Sequence, residues 1–538
     1  MVNACSRRRF LKSGILGTAG LALLGLGRRA SAHPADHVPA IVIGSGFGGA
    51  VSALRLGQAG IPTLVLERGR RWPIRPDGNT FATFEQPDGR AYWLRDRTGE
   101  AILGLPQLEK RIDRFPGVLE VFVADGIFVG AGAGVGGGSL VFNAIIVEPR
   151  RELFERVMPR EIDFDEMDAV YYPRVRSIIR SAPIPADVLA TEYYRSSRVS
   201  LQQAQTAGFP TRPVDLAVDW DIVRDEIAGR AVPSAIAGQS FYGLNSGAKR
   251  SLDRNYLAMA EATGRVEILP LHVAVSIGHG HGGRYEVSVA QLDDTGQVVG
   301  AQRHLTCNYL FLAAGSLGTT SLLVRARATR TLPALNEHVG LHWGANGDIP
   351  VTRGLLPPAN AGTGGPAGHF ILEDLDNPFQ PTSLVELVLP PHIRDALAAL
   401  GAPGDFANYA SLGIPPAIGS FAYDAAADAV RLRWPGNDPR LGNFLAAAQQ
   451  TLSVLDQRSG SLTLSFNPLI SAHPLGGAVM GKACDFEGRV KRHPGLYVVD
   501  GSLIEGSAGL ANPSFTIAAL AERCLDRILE RDDLQAAQ

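Results

Sequence analysis

The sequence predicts a two-part α/β protein, in which a parallel, Rossmann-like sheet holding a dinucleotide is joined to an α+β part with a mixed sheet. Three observations predict it. Residues 40–67 read as strand, glycine turn, helix and strand; a second glycine cluster stands at 130–139; and short apolar runs return later in the chain, as at 309–313, where glycines open the helix that follows.

Residues 40–43 form a β-branched, apolar run suited to a strand buried on both faces of a parallel sheet. Gly44, Ser45, Gly46, Phe47, Gly48 and Gly49 then spell GxGxxG. In that motif Gly44 allows the tight turn, Gly46 lets backbone approach a pyrophosphate, and Gly49 lets the helix lie close to the strand. Ala50, Val51, Leu54 and Leu56 recur at helical spacing, so the helix points its free N–H groups at the phosphates. Residues 64–66 make the second strand and Glu67 closes it, where an acidic side chain accepts bonds from an adenosine ribose. An acid there argues against a 2′-phosphate and leaves NAD or FAD. The bland alternative is an ordinary tight βα turn with Glu67 in water.

At 538 residues the chain is too long for one compact core and calls for two or more domains. With 51 basic against 53 acidic residues and no long basic run, nothing points to nucleic acid as a partner. Ser6 to Lys12 match a twin-arginine export motif, an apolar stretch follows at 14–27, and Ala30, Ser31 and Ala32 offer a cleavage site. Residues 1–32 are therefore expected to be a signal peptide, with a secreted or periplasmic mature protein starting near His33. That pathway carries folded proteins, in keeping with a cofactor gripped by several separated segments. Cys5 lies in the leader, leaving Cys307, Cys484 and Cys524 at spacings that match no zinc or CxxC pattern. Neither a disulfide framework nor a metal site is expected.

Residues 70–84 combine Pro73, Pro76 and Gly78 with Trp72, Phe81 and Phe84, which suits a loop packed on the core or a movable cover over an apolar pocket. Glycines at 134 and 136–138 remove every Cβ over about one turn, as needed where backbone lies flat against a planar ring or a diphosphate. Residues 151–244 carry no legible chemistry. A helix at 251–263, strands at 266–269, 272–277 and 309–313, and a helix opened by Gly315 and Gly318 read as returns to the dinucleotide sheet. In the strand at 383–389, alternation puts Leu384, Glu386 and Val388 on one face, so the Glu386 carboxyl faces either water or an apolar cavity. In the cavity, desolvation would raise its pKa and make it a usable proton shuttle.

The C-terminal section is the most informative. His473 stands before a proline and a double glycine, on a rigid turn with open space beside it; a lone histidine is more often structural than catalytic. A strand then ends at Asp500 and Gly501, a loop of small residues follows, and a helix is expected from about Pro513 with Asn512 as its N-cap. That helix start offers partial positive charge to an anion.

Taken in order, Gly44 to Glu67, GVGGGSL at 134–140, HPLGG at 473–477 and the closing DGS, NP, TI and ALAER resemble the glucose–methanol–choline oxidoreductases, and within them the bacterial cholesterol oxidases that bind FAD without a covalent link. The likeness covers nearly the whole mature chain and includes IVEP at 146–149 and KRSLDRNYLA at 249–258. It implies an FAD-binding part at 38–75, 245–348 and 489–533, with 130–149 adding flavin contacts, and a substrate part at 76–244 and 349–488. It implies oxidation of a 3β-hydroxysteroid or other bulky alcohol by oxygen, with 5-ene to 4-ene isomerisation, by a monomer that touches membranes transiently. A dehydrogenase of the same fold is the alternative. His473 matches the histidine that hydrogen-bonds the substrate hydroxyl, Asn512 the asparagine beside the flavin, and Glu386 the carboxylate that moves the proton in isomerisation. Contacts to FAD are implied for Gly44, Gly46, Phe47, Gly48, Gly49, Glu67, Gly134, Gly137, Gly138, Ser139, Phe142, Asn143, Ile145, Ala274, Asp500, Gly501, Asn512 and Ser514. Two stretches depart from the pattern. Phe142 and Asn143 stand where Asn and Gly are common, and GLANPSF replaces GVNPF, with Ser514 in place of phenylalanine.

Overall fold

In the computed structural model residues 36–366, 368–402, 404–532 and 534 are described; the export motif and cleavage site lie outside them. The strand His37–Ile43 lies between Thr63–Leu66 and Val298–Leu312, and Val266–Leu269 extends the sheet beyond Thr63–Leu66. All these pairings are parallel, and Leu496–Val498 joins parallel to the far side of Val298–Leu312. The 15-residue strand Val298–Leu312 does double duty. Its exposed first half pairs antiparallel with Tyr285–Leu292, which pairs in turn with His272–His279, while its buried second half is the centre of the parallel sheet. Central residues such as Ile41, Val42, Leu310 and Leu312 are fully buried, as a sheet covered on both faces requires.

The helix Phe47–Gln58 packs on this sheet and against the C-terminal helix Ser514–Arg531. One buried carboxylate clamps the two: Glu522, with none of its side chain exposed, receives Arg55 at 2.6 and 2.7 Å, Arg174 at 3.3 Å and the Tyr256 hydroxyl at 2.8 Å. Four donors compensate the cost of removing that charge from water.

A second sheet is antiparallel throughout, in the order Leu462–Phe466, Ile349–Leu356, Asp405–Leu412, Thr382–Leu387, Phe370–Asp374 and Thr211–Pro213. One face looks onto a cavity; the other is covered by the helices Arg195–Thr206 and Gly442–Ser459. A third, small sheet matters for the site. Ile470–Ser471 pairs parallel with Ile127–Gly132, the strand that runs into the glycine cluster. The loop at 70–84 proves to be core: Trp72, Phe81 and Phe84 are buried with Tyr92, Leu140 and Tyr242, and of the three only Phe84 reaches the cavity.

Candidate active site

A cavity of ≈ 900 Å³ runs from the first glycine turn to the second sheet. At one end it is lined by Gly44, Gly46, Phe47, Gly48, Glu67, Gly137, Gly138 and Ala274. A methyl group built on Gly46 or Gly138 would meet no atom within 4 Å, so both glycines leave open a space that any side chain would begin to fill. Elsewhere in the motif the backbone is crowded. Gly44 has φ +99°, and a Cβ on Gly49 would overlap the Gly44 carbonyl, which is why the helix can lie against the strand. The first-turn N–H groups of Phe47–Gln58 have no side-chain cap and no acidic neighbour, as suits a diphosphate.

Glu67 closes the second strand as expected, with a partner the motif did not reveal. Its Oε2 accepts from the Ser45 N–H at 3.1 Å and the Ser45 hydroxyl at 2.6 Å, and its Oε1 from the Gly69 N–H at 2.8 Å. The same hydroxyl receives the Gly136 N–H at 3.1 Å, so Ser45 ties the two glycine turns together. Gly49, Gly134 and Ser139 do not line the cavity and so support the cradle from behind; Ser139 bonds Gly136 and Leu252. Asp500, pushed up by burial against bonds from Ser502, Thr319 and Gly315, faces the cavity and holds the start of the helix Gly315–Ala328.

The stretch where the sequence departs from the family pattern has its own brace. Lys249 is fully buried, and its ammonium donates to the carbonyls of Leu140 at 2.9 Å, Phe142 at 2.7 Å and Ser240 at 2.7 Å, with the Phe142 ring 5.7 Å away. Burial pushes it down to about 7. Ser240 donates to Asn143 Oδ1 at 2.8 Å, which leaves the Asn143 amide N–H groups free to face the cavity. Phe142, Asn143 and Ile145 all line it.

At the far side stands His473. Its turn is fixed on two sides, by the pairing of Ser471 with Val129 and by reciprocal 2.9 Å backbone bonds between Leu475 and Gly344. His473 Nδ1 lies 2.8 Å from Asp348 Oδ1, and Asn512 Nδ2 lies 3.3 Å from His473 Nε2. Asn512 therefore does not cap the last helix, which starts at Ser514 with Pro513 before it and no side-chain cap bond. Its Oδ1 is buried with no partner, as is the Ser514 hydroxyl, although both residues line the cavity with Gly501. Orphaned polar atoms at a helix start, open glycines and a ribose-type acid together fit an FAD.

Glu386 is a correction. The register pairs it with Tyr409, while its neighbour Leu387 pairs with Asn408. Leu387, Asn408 and Ala410 line the cavity; Glu386 and Tyr409 point the other way, into the helical layer. There Glu386 is 1% exposed, bonded at 2.6 Å by Ser196 and 3.1 Å by Ser200, with Oε2 unpartnered. Burial pushes its carboxyl up, against bonds from Ser196, Ser197 and Ser200. The carboxylate beside the reacting end of the cavity is Asp348, which motif reading passed over because GANGDIP looks like any turn.

Among known proteins, residues 446–521 match the family model of the GMC oxidoreductases. The cholesterol oxidase of Mycobacterium tuberculosis (strain CDC 1551 / Oshkosh) is 25% identical, over 90% of this chain and 89% of that one; the cholesterol oxidase of Acinetobacter baumannii is 25% identical, over 92% and 95%. In fold the chain is similar to pyridoxine 4-oxidase from Mesorbium loti, with TM-score 0.61 and 14% identity over 92% of this chain and 99% of that one. A glycine cradle, an imidazole paired with an asparagine and these likenesses agree: the chain is built to bind FAD, its residues 446–521 match the GMC oxidoreductases, and over about nine-tenths of its length it is similar to cholesterol oxidases.

Proposed function

We propose that the chain oxidises the secondary hydroxyl of a 3β-hydroxysteroid, or of a similarly bulky alcohol, to the ketone, with oxygen as final acceptor and hydrogen peroxide as product. The observation that carries this reading is His473, an imidazole with partners on both nitrogens, opening onto a cavity that also reaches the glycine cradle. Its walls, among them Phe84, Ile145, Phe241, Leu387, Ala410 and Ile470, are apolar and suit a fused hydrocarbon skeleton. The cholesterol oxidases that align over about nine-tenths of the chain support the steroid as substrate.

FAD supplies the acceptor for the hydride that leaves the carbinol carbon. The chain does the rest. His473 Nε2 takes the hydroxyl proton as the hydride departs, and the Asn512 amide, displaced from Nε2 by the substrate, donates to the substrate oxygen. The unpaired N–H groups at the start of Ser514–Arg531 offset negative charge nearby.

Isomerisation needs a free base over the steroid α-carbon. Glu386 faces away, and both oxygens of Asp348 are occupied, so the released ketone is expected to keep its original double bond. Steady-state assay with cholesterol tests the reading. Peroxide without the ultraviolet band of a conjugated enone supports it; dye reduction without oxygen uptake favours a dehydrogenase; and no turnover of any sterol removes the substrate class. On the leader motif we place the mature protein outside the cytoplasm, which cell fractionation tests.

A further inference from the structure

The two nitrogens of His473 are held by residues from two different segments. Asp348 sits just before the strand Ile349–Leu356 and Asn512 just before the last helix. One side chain locks these segments together: Asn346, fully buried, donates to the Ala511 carbonyl at 3.0 Å and accepts the Ala508 N–H at 2.8 Å. Asp348 is itself fully engaged. Its Oδ2 accepts from the Ser471 hydroxyl at 2.9 Å and the Ala472 N–H at 3.0 Å, and its Oδ1 faces His473 Nδ1 at 2.8 Å. The Ser471 and Ala472 donors occupy Oδ2 and leave Oδ1, an oxygen that can only accept in a carboxylate, facing the ring nitrogen. Nδ1 must then carry the ring proton, and the lone pair of the neutral imidazole is left on Nε2, the nitrogen beside Asn512.

We propose that Asp348 is a positioning residue for the oxidation: it fixes His473 in the Nδ1–H form, aims Nε2 at the substrate hydroxyl, and stabilises the imidazolium formed when the proton arrives. The inference rests on the oxidation reading above and deepens it. In the step, the substrate O–H bond breaks and an Nε2–H bond forms, while the C–H electron pair would leave as hydride to the FAD that the glycine cradle would hold. The ring, now carrying both protons, is a cation 2.8 Å from the Asp348 carboxylate, a pairing that exists only after proton transfer and so favours the transition state over the ground state. Lone-histidine chemistry lacks this counter-charge.

Asp348→Asn tests the proposal. An amide keeps the size of the side chain but presents an NH₂ either to His473 Nδ1–H or to the Ser471 and Ala472 donors, so one interaction becomes a clash of donors. The variant is expected to fold and retain FAD with a slightly lowered melting temperature, to lose kcat by on the order of 10²–10⁴-fold, and to change KM by less than about threefold. Asp348→Glu should recover part of kcat, which a purely structural role would not produce. The second measurement needs no substrate. In protein labelled with ¹⁵N-histidine, the His473 resonance, assigned by its loss in His473→Gln, should show a protonated Nδ1 in the resting protein and lose that form in Asp348→Ala. Oxidation by Asp348→Asn within about threefold of wild type, or an unprotonated Nδ1 at rest, overturns the proposal. Absence of sterol turnover in the wild type removes the substrate reading instead, and the nitrogen spectrum still decides on Asp348.

Discussion

Replacing Glu386 by glutamine is expected to leave oxidation intact and to stabilise the fold at alkaline pH, the opposite of what a catalytic carboxylate would show. The side chain is buried in the helical layer, with one oxygen bonded by Ser196 and Ser200 and the other without a partner. Burial raises its folded pKa above the usual 4.5, so the protonated form suits the fold. The sign follows from linkage: the contribution is fully present below pH 4.5 and is lost as pH rises through the higher folded value, where the native state must ionise in a dry site. Glutamine cannot ionise and escapes that loss. An unpaired buried charge or polar atom costs about 1–3 kcal/mol, so the variant's advantage in urea unfolding should grow by about that much between pH 5 and pH 9. Turnover and product spectrum should stay within about twofold of wild type. A variant less stable at pH 9 than wild type, or one that loses turnover or changes the ketone released, would refute the placement of Glu386 behind the sheet.

Two glycines of one motif should fail differently. Gly46→Val puts a side chain into the open cradle and is expected to abolish flavin absorbance while leaving a folded protein; Gly49→Ala drives a methyl into the Gly44 carbonyl and should destabilise the fold by about 1–3 kcal/mol in urea unfolding. Lys249→Met removes the bonds to the carbonyls of Leu140, Phe142 and Ser240 that brace the loop whose Phe142 and Asn143 line the cavity; if about 2 kcal/mol of that bracing is felt at the cofactor, FAD should dissociate roughly 30-fold more readily in a flavin-release titration. Glu522→Ala strips Arg55 and the Tyr256 hydroxyl of their shared acceptor while Arg174 keeps Asp526, and should cost about 1–3 kcal/mol, seen as a lower melting temperature with the flavin still bound at 25 °C.

What could be seen in the sequence was what local physics writes into it. The unit at 40–67 was legible because glycine placement and β-branched runs specify turn, helix start and strand within thirty residues, and the strand at 266–269 emerged with its bounds unchanged. The pairing of His473 with Asn512 came from resemblance rather than from pattern. Glu386 shows the limit of alternation. Period-two spacing says which residues share a face, and this sheet is buried on both, so pattern alone could not tell chamber from helical layer. Asp348 and Lys249 left no local trace, because their partners lie 125 and 109 residues away along the chain. Asn512 looked like a cap by residue type, and a long-range partner, His473, claimed its side chain.

Anaerobic mixing of the purified protein with cholesterol, followed by absorbance of the bound flavin, tests the central claim most directly. The account predicts a yellow protein whose flavin band bleaches in the wild type and bleaches on the order of 10²–10⁴-fold more slowly in His473→Gln, with the same FAD content in both. A colourless protein that takes up no FAD, or a His473→Gln variant that bleaches at the wild-type rate, would contradict it.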